Sequence, residues 1–130
     1  MAIDLMTSIS TSELNALLND SKQIPVPSSD GVTVQDLGDC RGMHVLYVRC
    51  QPFSNIPMHT HTCASGMGIT KGRALATKEQ EKVTALPGDF IYKSANTPHG
   101  FEVGEEGLEF FSLSDKDGIL NGNSWDFDVL

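Results

Sequence analysis

Short segments of β-forming residues, set apart by glycine and proline, recur from residue 32 onward and leave this chain few folds to adopt. Val32–Leu37, His44–Cys50, Ile56–Cys63, Met67–Thr70, Arg73–Thr77, Lys82–Leu86, Phe90–Lys93, His99–Val103, Leu108–Ser114 and Ser124–Val129 each read as a strand. Gly72, Pro87-Gly88-Asp89 and Asn96-Thr97-Pro98 punctuate them. Strands this short and this closely spaced predict an all-β barrel or sandwich. Ahead of them, Ser10-Thr11-Ser12-Glu13 has the form of a capping box, with Ser10 as N-cap. Leu14, Leu17 and Leu18 follow at helical spacing, so a short helix is expected to end near Asn19-Asp20-Ser21. The 130 residues are expected to form one domain, with the helix and a loop over 1–31 and the barrel over 32–130.

Charge narrows the partners. Nine Lys and Arg stand against 17 Asp and Glu, a net charge of −8, which disfavours nucleic acid and anionic membrane surfaces. No apolar run approaches the ~20 residues of a membrane span. Residues 1–20 carry neither a basic start nor a long apolar stretch, so no secretory signal is expected there. Cys40, Cys50 and Cys63 are an odd, sparse set, which fits free thiols and a cytoplasmic setting.

The chemistry concentrates in histidine. His59-Thr60-His61 places two imidazoles on one face of a strand, because strand side chains alternate. His99, arriving after Asn96-Thr97-Pro98 on a second strand, would complete a three-nitrogen site inside a barrel. Imidazole suits Zn, Fe, Cu or Ni. Cys63 shares the parity of the histidine pair and is a candidate for the pocket lining. The fourth histidine, His44, opens the preceding strand and reads as a structural residue. Tyr47, Tyr92, Phe90, Phe101, Phe110 and Phe111 are expected to fill the barrel or shape its mouth, with Phe101 in the pocket; Trp125 is expected to anchor the tail or an interface.

Two segments together resemble the cupin superfamily. Pro52-Phe53-Ser54-Asn55-Ile56-Pro57-Met58-His59-Thr60-His61 is similar to the opening of its first motif, and Gly72 falls at that motif's closing glycine. Pro87-Gly88-Asp89 through Ala95-Asn96-Thr97-Pro98-His99 is similar to the second. The resemblance covers about residues 44–114. It implies a double-stranded β-helix of jelly-roll type, one divalent metal ion on His59, His61 and His99, and a homodimer.

The chain departs from the pattern in three places. Phe53 stands where a glycine is usual, so a differently built turn is expected there. Val103 stands where an asparagine often closes the second motif. Ser65 or Gly66, depending on spacing, stands where the motif has a glutamate ligand, and Ser65 is the better fit to the closing Gly72. Three neutral imidazoles without that carboxylate would favour an anionic or bidentate oxygen ligand. Glu79 and Glu81, in the hairpin Lys78-Glu79-Gln80-Glu81, are candidates for a fourth ligand, the alternative being a solvated turn. Ser65, Met67 and Ile69 share an inward parity and are candidate pocket wall.

Within the superfamily the chain looks like the subgroup of 2,4'-dihydroxyacetophenone and acetylacetone dioxygenases and anti-sigma zinc cupins. That likeness implies an Fe(II) dioxygenase cleaving a small dicarbonyl or hydroxyketone. The alternative is a non-redox zinc or nickel cupin (a cyclase, isomerase or lyase), or a metal-binding sensor domain without turnover.

Overall fold

A computed structural model describes residues 11–40, 42–78, 80–115 and 118–130. Helix α1 (Thr11–Asp20) precedes eleven strands among these residues: β1 (Gln23–Pro25), β2 (Val32–Cys40), β3 (Met43–Cys50), β4 (Asn55–Thr60), β5 (Ser65–Lys78), β6 (Glu81–Ala85), β7 (Phe90–Lys93), β8 (His99–Ser114), β9 (Leu120–Asn121), β10 (Ser124–Trp125) and β11 (Asp128–Val129). All pairings are antiparallel, and nine strands join in one curled sheet of jelly-roll type. Ser10, the expected helix cap, lies outside the described residues. No described helix is long and apolar enough to cross a membrane.

Strand β8 holds the sheet together. Its first part, from His99 to Glu102, pairs with β4 on one edge and with the end of β5 on the other. Its second part, Leu108 to Ser114, pairs with β3 and with the start of β5. The segments expected as separate strands on either side of Gly72, and on either side of Gly104 to Gly107, are therefore two continuous long strands. Both bend at the same place. Gly72 (φ 84°) and Gly107 (φ 76°) take left-handed backbone, and the register shifts twice beside Gly72. A methyl group on residue 72 would overlap the Gly107 carbonyl. Glycine here lets two backbones touch at a corner, so that one ladder serves both halves of the curled sheet.

Period-2 burial fills the interior. Val32, Val34, Leu46, Val48, Met67, Ile69, Leu108 and Phe110 point inward from β2, β3, β5 and β8. The helix adds little: Leu18 is buried and Leu14 half-buried, while Leu17 is 44% exposed. What holds the helix is buried Gln35 of β2, whose amide nitrogen donates to the carbonyls of Leu18 and of Ser21 (3.0 Å). These are carbonyls at a helix end, which lack partners within the helix.

Not every aromatic packs inside. Tyr47, Phe101 and Phe110 are buried and Phe111 is half-buried, but Phe90 (62%) and Tyr92 (61%) are exposed. Along β7 the alternation has the phase that turns Ile91 and Lys93 inward. Phe53 sits in a turn with positive φ. It takes φ 61°, left-handed backbone that glycine adopts freely, so a phenylalanine bears the strain of this turn. Ser124 to Val129 is not one strand but two short ones, β10 and β11, on different partners.

Gly72→Ala is expected to destabilise the protein by about 1–3 kcal/mol, from the left-handed backbone and the lost approach to Gly107. Chemical denaturation of the two proteins would measure it; an unchanged midpoint would show that the corner does not need glycine.

Candidate metal centre

His59, near the end of β4, pairs in register with His99, the first residue of β8. Opposite residues on paired strands share a face, so both rings enter the barrel. His61 lies just beyond β4, not on the strand as expected, and is drawn in by another contact. Its Nδ1 donates to the backbone carbonyl of Asp126. The Asp126 carboxylate in turn accepts the Thr62 amide (2.8 Å) and hydroxyl (2.8 Å). Burial would raise the Asp126 carboxyl, but the bonds from Thr62 leave it below its usual value. A neighbouring segment thus fastens the end of the His-x-His turn.

All three rings follow one rule. His59 Nδ1 donates to the Pro57 carbonyl (2.7 Å), His99 Nδ1 to the Thr97 carbonyl (2.8 Å), and His61 Nδ1 to that of Asp126. A carbonyl can only accept, so each Nδ1 carries the proton and each Nε2 of the neutral ring presents a lone pair. Burial lowers the pKa of all three, to about 4 for His59 and about 2 for His99, so the rings stay neutral near pH 7.

The lone pairs then converge. The ligand nitrogens of His59, His61 and His99 lie within 4.8 Å of one another, and all three residues are buried. His59 Nε2 and His61 Nε2 are 3.1 Å apart, and His99 Nε2 is buried without a hydrogen-bond partner. Two lone pairs facing at that distance repel unless a cation lies between them. Nitrogens held about 2.0–2.1 Å from one tetrahedral zinc ion would stand about 3.3 Å apart. The cluster is therefore suited to a divalent metal ion, with the backbone carbonyls fixing ring orientation from behind.

The surroundings are apolar. Phe127 stacks on His59 at 4.0 Å with an interplanar angle of 19°. A cavity of about 50 Å³ opens on the three histidines, walled by Val26, Val34, Leu46, Ile56, Phe101, Phe110, Ile119, Trp125 and Phe127 among others. That volume holds an ion and a few ligand atoms. Two further polar residues reach it, Lys93 and Ser112.

The expected pocket residues divide. Phe101 lines the cavity. Met67 (0% exposed) and Ile69 (4%) do face inward, but they are consumed by the packed core rather than set at the cavity wall. Parity decides the face of a strand and not the depth at which a side chain ends. Ser65 is buried with its Oγ unpartnered, away from the cavity wall. Cys63 is half-buried against the core, and burial lifts its thiol to about 11. Glu81 is exposed at the start of β6 and stands outside the cluster; Glu79 lies outside the described residues. The site thus has three nitrogens and no carboxylate among the described residues. His44 is structural, with Nε2 2.7 Å from the Asp36 carboxylate.

Trp125, Phe127, Ser112 and Lys93 were not foreseen in the pocket. The phase of β7 could have found Lys93, since exposed Phe90 and Tyr92 leave Ile91 and Lys93 the inner positions. Nothing in the residues around Trp125 and Phe127 announces their place in the cavity wall.

Known proteins set this geometry in a family. Several solved structures share the fold. A polyketide cyclase, RemF from Streptomyces resistomycificus, superposes with a TM-score of 0.69 at 18% identity, over 86% of this chain and 80% of that one. The DMSP lyase DddQ from Ruegeria pomeroyi DSS-3 gives 0.71 at 17%, over 88% and 67%. KdgF from Halomonas sp. gives 0.65 at 18%, over 75% and 90%. No curated protein sequence matches the chain. Residues 14–115, which include all three histidines, match the family described as the ChrR cupin-like domain, and the chain belongs to that family.

Proposed function

We propose that this chain is a metal-dependent enzyme of non-redox type, holding zinc or nickel on His59, His61 and His99 and acting on the carbonyl group of a small substrate as a cyclase, isomerase or lyase. The observation that carries the reading is the convergence of three buried Nε2 lone pairs, each ring fixed by its own Nδ1 bond to a backbone carbonyl. A divalent ion bound there supplies a Lewis acid that polarises a carbonyl oxygen or activates water.

The chain's own residues do the rest. The carbonyls of Pro57, Thr97 and Asp126 hold the imidazoles in one tautomer, so no reorganisation is needed when a ligand arrives. Phe127 lies flat on His59, and Ile56 and Phe101 keep bulk water from the nitrogens. A low-dielectric wall of this kind strengthens every charge interaction inside it. The three cysteines are unpaired, in keeping with the cytoplasmic setting we propose for it.

Proteins of the same fold include a polyketide cyclase and DMSP lyases, which supports the non-redox reading. The Fe(II) dioxygenase that the sequence suggests would use the same three nitrogens, so the choice is experimental. Protein purified anaerobically is expected to contain stoichiometric zinc or nickel by elemental analysis and to consume no O2 with acetylacetone. Stoichiometric iron with O2 uptake on that diketone would overturn the non-redox reading in favour of the dioxygenase.

His61→Ala and His99→Ala are each expected to abolish stoichiometric metal retention while leaving the far-ultraviolet circular dichroism unchanged. Full metal content in either variant would remove the cluster as the metal site.

A further inference from the structure

Lys93 is the most unusual residue of the barrel interior. It ends β7, is 6% exposed, and lines the cavity beside the three histidines. Among the described residues it makes no hydrogen bond and no ion pair. Its Nζ lies over the face of Phe101, 5.5 Å from the ring centroid. The thiol of Cys63 lies near enough to interact with it electrostatically, but burial lifts that thiol to about 11 and keeps it neutral. A buried amine with no anionic partner is costly, and folded proteins keep such groups where something else completes them.

The register adds to this. Lys93 stands directly opposite Ser65, the serine expected in place of a glutamate ligand. Paired residues share a face of the sheet, so Lys93 and Ser65 point to the same side. No carboxylate lines the cavity among the described residues, and those of Asp126 and Asp128 act on His61 from outside it.

We propose that Lys93 is the anion-recognising group of this cavity, and that the ligand is a small organic oxyanion, a carboxylate or enolate, whose negative charge Lys93 receives while its oxygen faces the histidine cluster. This deepens the metal-enzyme reading and rests on it. The aliphatic and aromatic wall of the cavity suits a ligand whose remainder is apolar. Burial pushes the Lys93 amine down to about 7, and an anion bound beside it would draw that value back up.

Acetate and acetamide have nearly the same shape and differ in charge. Zinc-loaded protein titrated calorimetrically with each is expected to prefer acetate, and Lys93→Met is expected to keep the zinc content while cutting that preference about ten-fold or more. An unchanged preference would overturn the proposal. A second readout needs no variant: in the wild-type protein, the Cε–Hε resonance of Lys93 is expected to move on saturation with acetate and to stay in place with acetamide. A resonance indifferent to both would also overturn it. A chain that takes up neither zinc nor nickel would overturn the metal reading instead. The anchor would then be judged on metal-free protein, where acetate binding equally to wild type and Lys93→Met, or to neither, would reject it.

Discussion

Strand β8 is hydrogen-bonded on both edges over most of its length, and the position of every other large element follows from that. Its neighbours change along the strand, β4 and the end of β5 at His99 to Glu102, β3 and the start of β5 at Leu108 to Ser114. A straight ladder could not serve both sets. The bend is possible because Gly72 and Gly107 meet backbone to backbone, without side chains between them. The same strand begins with His99, so the element that organises the sheet also places a ligand nitrogen at a fixed point opposite His59.

Most of the packed interior is apolar. Three imidazoles and an amine are buried together against aliphatic and aromatic side chains. Desolvation keeps the imidazoles neutral, which is the state a metal requires. The hydrogen bonds that could have satisfied the Nε2 atoms are absent among the described residues, except that two of these atoms face each other. Stability alone would not select such a group of polar atoms; a bound cation gives each of them a partner.

Much of this was legible in the residue order. The alternation of strand side chains, applied to His59-Thr60-His61 and to His99 after its proline turn, picked out the three residues that converge, and the spacing of glycines and prolines predicted the curled all-β sheet. Alternation could not say how long a strand runs through a glycine, so β5 and β8 each looked like two strands. It also could not say how deep an inward residue reaches, and Met67 and Ile69 became core. Lys93 was passed over because its residue type suggests solvent and its neighbours Phe90 and Tyr92 suggest interior, the reverse of the phase β7 adopts. The contacts of residues 126–129 with the histidines are long-range, set by how the chain returns to β4, and no local pattern encodes them.

That return has a temporal side. Asp126 holds the His61 ring, Phe127 covers His59, and Val129 pairs with His59 across the β4–β11 ladder. His59, His61 and His99 all leave the ribosome before any of these residues is made. A nascent chain that already exposes every ligand nitrogen therefore still has an unaimed His61 and an uncovered His59. The three nitrogens are therefore held in their final arrangement only once residues 126–129 have been made and have docked.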